Sequence, residues 1–111
     1  MAWDTLPARV QTPARVVLTD ANQQTLVAAP GAGKHLVVYG LFGSNAGASL
    51  SAVDVKDGST ARFTFAVGAN GGGFACPLST GWHLASNSAL TVQQSAAVTS
   101  YVTALYDTVF D

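Results

Sequence analysis

Residues Leu50 to Val67 restrict the fold more than any other part of the chain. Ala61, Phe63, Phe65 and Val67 alternate with Thr60, Arg62, Thr64 and Ala66, the period of a strand with one face buried. In the arm before them, Ser51, Val53 and Val55 share one face, and Leu50, Ala52, Asp54 and Lys56 share the other. Between the arms lies Lys56-Asp57-Gly58-Ser59, where Asp-Gly supplies residues that tolerate positive φ. The stretch therefore reads as a β-hairpin, and the rest of the chain must be compatible with one.

Other strands are expected from Ala14 to Leu18, Gln24 to Ala28, Leu36 to Phe42, Phe74 to Leu78, Ala89 to Gln94 and Val98 to Tyr106, with a brief strand or corner at Trp82-His83-Leu84. Turn signals separate them: Thr19 to Asn22, Pro30-Gly31, Ser44 to Gly47, and Ala69 to Gly73. Pro77 marks its segment as an edge or a strand end. Leu36 to Phe42 and Val98 to Tyr106 are apolar on both faces, so one face of each is expected in the core and the other against a second surface. About eight short strands and no helix predict an all-β, two-sheet antiparallel sandwich or small barrel, with a jelly roll as the preferred version.

The chain's 111 residues suit one domain. Pro7 and Pro13 make residues 1–14 an extended N-terminal arm, and the β-sandwich domain is expected over 15–111. Pro7-Ala8-Arg9-Val10 recurs as Pro13-Ala14-Arg15-Val16, too short an echo for a solenoid repeat. The echo reads either as coincidence in a biased composition or as part of an arm lying across a neighbouring subunit, with Trp3 as its apolar anchor and Arg9 and Arg15 as hydrogen-bonding contacts.

Charged residues are only 10% of the chain against 49% hydrophobic, so much of the surface is uncharged, as suits a chain partly covered by copies of itself. The net charge is -1 and the five cations form no run, which argues against nucleic acid as a partner. No apolar run approaches the roughly 20 residues of a membrane helix. The N-terminus lacks a basic flank followed by an apolar run, so synthesis in a cytoplasm is expected. Cys76, the lone cysteine, reads as a small buried hydrophobe.

Motifs for chemistry are sparse. Ala28 to His35 approximates a phosphate-binding G-x-x-x-x-G-K-[ST] loop, but Ala28 replaces its first glycine, His35 replaces the magnesium-holding hydroxyl, and a strand follows where a helix is required. His35 and His83 are 48 positions apart, and no Cys, Asp or His stands at ligand spacing beside either, so no pairing, zinc site or cofactor is expected. All six acids are aspartates. Ser79, His83 and Asp54 make a nucleophile triad only on paper, which leaves no catalytic residues and no enzyme. Tyr39, Phe42, Trp82, Tyr101 and Phe110 read as core or subunit contacts, with a sugar-stacking surface as the competing reading.

The strand at Leu36-Val37-Val38, the Asp57-Gly58 hairpin, Phe63-Thr64-Phe65 leading into Ala69 to Phe74, Leu90 to Ala97 and the closing Tyr101-Val102 strand together resemble the small β-sandwich virion proteins of tailed bacteriophages. The resemblance covers about residues 15 to 106 and carries no catalytic or ligand residues. It implies a capsid decoration or cement subunit, commonly a jelly-roll homotrimer, made in the host bacterial cytoplasm and bound to the major capsid protein or another virion protein on the capsid exterior. Trp3, Arg9, Arg15, Tyr39, Phe42, Tyr101 and Leu105 are then the expected interface residues. The alternative it leaves is a receptor- or glycan-binding domain of a head fibre or tail tip.

Overall fold

In the computed structural model, which describes residues 11–111, the expected hairpin is β4 (Ser51–Asp57) and β5 (Thr60–Val67). Gly58 and Ser59 form its two-residue turn. Gly58 has a φ of +63° and Ser59 is not among the positive-φ residues, the pattern of a turn whose first central residue is glycine. Val53 and Val55 are fully buried and Val67 nearly so, as the alternation predicts. Thr60, Ala61 and Arg62 are all exposed, because the register shifts between Val55 and Lys56 and interrupts the alternation beside the turn.

The remaining strands pair outward from this hairpin as nested layers. β3 (Lys34–Asn45) pairs with β6 (Gly72–His83), β2 (Gln24–Val27) with β7 (Leu90–Gln94), and β1 (Thr12–Leu18) with β8 (Ser100–Phe110), all antiparallel. Lateral pairing of β3 with β8 and of β4 with β7 gathers them into two four-stranded sheets, ordered β1-β8-β3-β6 and β2-β7-β4-β5. This is jelly-roll connectivity within a two-sheet β-sandwich.

Besides β3, which runs from Lys34 to Asn45 and so beyond the expected Leu36 to Phe42, three strands differ from expectation. The separate segments at Phe74 to Leu78 and Trp82 to Leu84 are one strand, β6, which accommodates Gly81 at a φ of +81° opposite the register shift in β3. Its Pro77 is tolerated because β6 is an edge strand and needs no outward hydrogen bond. β8 runs to Phe110, beyond the expected Tyr106, because β3 begins at Lys34 and offers it partners that far. Thr12, Pro13 and Ala14 belong to β1, paired with Tyr106, Leu105 and Ala104. Residues 1–10 of the expected arm lie outside the described residues.

The core between the sheets is aliphatic: Leu18, Leu36, Val38, Leu41, Val53, Val55, Val67, Leu90, Val92 and Val102. Cys76 packs against it, opposite Leu41. Along the seam where edge strands β5 and β6 face each other, aromatic rings close the sandwich. Phe65 stacks on Phe74 with centroids 4.2 Å apart, and Phe63 meets Trp82 edge-on at 5.0 Å.

Each end of the sandwich, a pole, is closed by polar groups. At the pole holding residues 19–23, 46–50, 68–71 and 95–99, Gln94 is 2% exposed yet fully engaged. Its amide donates to the carbonyls of Asp20 (3.0 Å) and Val98 (2.6 Å), and its oxygen accepts from Ser100 Oγ (2.8 Å). Buried Asn45 likewise donates to Ser49 O and accepts from Gly47 N–H. Gln94→Ala strands the Ser100 hydroxyl and two carbonyls in a dry site, and should lower unfolding free energy by about 2–3 kcal/mol in denaturant titration.

Candidate functional site

The two outer faces of the sandwich differ in chemistry. On the β2-β7-β4-β5 sheet the outward row is polar and internally bonded. Lys56 Nζ donates to Gln93 Oε1 (2.6 Å), and Thr64 Oγ1 donates to Asp54 Oδ1 (2.7 Å). On the β1-β8-β3-β6 sheet the outward row carries Pro13, Val17, Tyr101, Leu105, Phe42, Ala75 and Pro77, interspersed with Arg15, Thr103 and Ser44.

Local sequence explains how that second face is built. The register of β3 shifts between Val38 and Gly40 against both neighbours, so Val38 and Leu41 both reach the core. Val37 and Phe42 are left on the sheet's other face, where Val37 is nonetheless covered to 1% exposure. The Phe42 ring lies across Gly40, where a Cβ would come within 2.8 Å of it, and Leu105 flanks the same spot. Tyr39, at the shift itself, packs with Val37 over Gly81. Arg15 places its guanidinium 5.0 Å from the centroid of the Tyr101 ring, a cation–π contact. An open groove of about 260 Å³ lies beside them, lined by Phe42, Gly43, Ser44, Phe74, Tyr101 and Thr103.

Arg15, Tyr39, Phe42, Tyr101 and Leu105, expected as interface residues, thus belong to one sheet, and Arg15, Phe42, Tyr101 and Leu105 share its outward row. Trp3 and Arg9 lie outside the described residues. Trp82 is half-buried and committed to the core against Phe63. Lys34 begins β3, so the glycine-rich segment before it is a turn between strands. Asp54 and His83 lie in different sheets, so Ser79, His83 and Asp54 are not brought together.

The histidines correct the sequence reading. The β3–β6 pairing places His35 Nε2 2.9 Å from His83 Nδ1, while His35 Nδ1 lies 2.8 Å from Asp111 Oδ1. Ser86 Oγ donates to the other Asp111 oxygen. Sequence spacing gave no sign of this, because the contact depends on strand register across 48 positions. Among the described residues, no group of three or more His, Cys, Asp or Glu side chains is arranged to hold a metal ion.

The Ser86 hydroxyl, and next His35, hold the Asp111 carboxyl below its ordinary value of 3.8. A carboxyl lowered by folding adds stability above the ordinary value and loses that contribution as the pH falls through the lowered one. Below pH 3.8, stability of the wild-type chain should therefore fall more steeply with acid than that of Asp111→Asn, measured as denaturation midpoint against pH.

No protein-family model matches the chain, and no curated protein sequence is significantly similar to it. Solved structures are similar in fold. A chain of the acid-stable capsid of Helicobacter pylori bacteriophage KHP30 aligns with a TM-score of 0.61 at 17% identity, covering 93% of this chain and 95% of that one. A chain of the extra small virus particle of the prawn Macrobrachium rosenbergii aligns at 0.47 and 14% identity, over 94% and 83% of the two chains. A chain of the disulfide-linked pili of Bacillus endospore appendages aligns at 0.43 and 12% identity, over 87% of each. The fold of this chain is thus one also found in a bacteriophage capsid.

Proposed function

We propose that the chain is a non-enzymatic structural virion protein, a decoration or cement subunit that binds the exterior of a phage capsid as a homotrimer and stabilises the shell. The observation that carries this reading is the apolar outer face of the β1-β8-β3-β6 sheet, set against a polar, self-bonded face on the other sheet. Contiguous apolar surface rimmed by polar groups is characteristic of an interface, and a closed ring of like subunits covers it without leaving a free edge. The fold shared with a chain of the KHP30 capsid supports the virion setting.

In this reading Phe42, Tyr101 and Leu105 are the apolar centre of the subunit contact, and Arg15 sits beside them as its hydrogen-bonding group. The segment before Thr12, with Trp3 and Arg9, reaches the major capsid protein or a neighbouring subunit. Many copies on one shell then convert weak single contacts into stable attachment.

Light scattering after size-exclusion chromatography should give three times the chain mass. Leu105→Asp and Phe42→Asp should each give a folded monomer with an unchanged far-ultraviolet spectrum, since both side chains are outside the core cluster. A monomeric wild type would remove the self-association reading. Deletion of residues 1–10, which spares β1, should leave the trimer intact and abolish co-sedimentation with shells; retained binding would exclude the arm as the attachment.

A further inference from the structure

At the pole where β8 ends, side chains from three parts of the chain form one hydrogen-bonded line. His35 lies at the start of β3, His83 closes β6, and Asp111 follows β8. The two imidazoles tilt by 39° with centroids 5.1 Å apart. A carboxylate only accepts, so His35 Nδ1 must carry the proton shared with Asp111. With both rings neutral, His35 Nε2 is then an acceptor and His83 Nδ1 donates to it.

One added proton changes the direction of this line without breaking it. His35 becomes an imidazolium facing Asp111, its Nε2–H donates to His83 Nδ1, and the His83 proton moves to Nε2. A second proton has no such solution. Both facing nitrogens then carry N–H groups, 2.9 Å apart on two cations, and neither has a lone pair to accept with.

We propose that Asp111, His35 and His83 form a proton-operated latch, which ties edge strand β6 to the end of β8 while the pair holds up to one extra proton and releases with two.

The latch reinforces a weak place. Among the described residues β6 has β3 alone as a sheet partner, and the segment after it is otherwise held at this pole by Leu84 N–H to Leu36 O (2.9 Å), Asn87 N–H to Lys34 O (2.8 Å), Ala85 N–H to Asp57 (3.0 Å) and Ser86 Oγ to Asp111, while Asp111 N–H donates to Gly33 O (2.9 Å). The other charged groups nearby are Asp107, Lys34 and Asp57. Asp107 stands opposite Val37 on β8 as His83 does on β6. Lys34 adjoins His35, with its ammonium 5.7 Å from the Phe110 ring centroid. Asp57 is held by Ala85 N–H and Ser88 Oγ. Histidine is the side chain that ordinarily gains its charge between pH 8 and 5, which sets the range in which to look.

The latch stands independently of the assembly reading, and amide hydrogen exchange on the full chain tests it. Between pH 7.5 and 5.0, after correction for intrinsic exchange, protection at Leu84 and Asn87 should fall about tenfold relative to Val102, the weight of roughly one hydrogen bond. In His83→Gln, which presents no second cation, that acid-dependent fall should vanish. A constant ratio in the wild type, or the same fall in His83→Gln, overturns the latch.

Discussion

The register of β4 against β5 is the constraint on which the rest depends. Every other strand is paired outside this hairpin, so an error at Gly58-Ser59 propagates through three further layers. Side chains alternate with a period of two, and a one-residue slip would turn Val53, Val55, Phe65 and Val67 towards water. The turn is therefore held from outside as well. Gly58 N–H donates to Ala89 O, Thr91 Oγ1 donates to Gly58 O, and Asp57 accepts from Ala85 N–H and Ser88 Oγ. These bonds set the hairpin tip against the start of β7 and so transmit the register from the innermost pair to the next.

Around that register, three kinds of closure divide the work. Aliphatic side chains fill the space between the sheets, and aromatic rings seal the β5–β6 seam. Polar networks finish the two poles. Gln94 at one pole serves several buried partners, which gives that end a defined geometry because a displaced amide would leave polar groups unsatisfied. The histidine line at the other pole is more exposed, and its bonding depends on proton count. The two ends of one sandwich are thus fastened by groups of different chemical responsiveness.

Much of the fold was legible because short-range rules decided it. Alternation in β4 and β5, the Asp57-Gly58 turn signal and the edge role of Pro77 all follow from residues within a few positions of one another. The reading was poorer where pairing partners set the outcome. Simple alternation would place Val38 and Phe42 on the same face, but the register shift at Tyr39 sends Val38 inward and Phe42 outward. Phe74 to Leu78 and Trp82 to Leu84 looked like separate elements because Gly81 resembles a break, whereas pairing with β3 carries the strand through it. That Phe42, Tyr101 and Leu105 could share an outer row was foreshadowed by two-sided apolarity, whereas Arg15, read as a contact of the N-terminal arm, joins them through the pairing of β1 with β8. The meeting of His35 and His83 was not, since it requires knowing that β3 and β6 are neighbours.

Nested pairing has one further geometric result. β1 begins beside Tyr106 and β8 ends beyond it, so Thr12 and Asp111 lie towards the same pole. If the segment before Thr12 grips a surface, the molecule stands on that pole like a post, and the turn at 68–71 becomes part of its free tip. Gly68 there has open space for a side chain, whereas Gly71, at a φ of +96° and donating to Asn45 O, is strained by one, so an outward attachment that spares the foot belongs at Gly68.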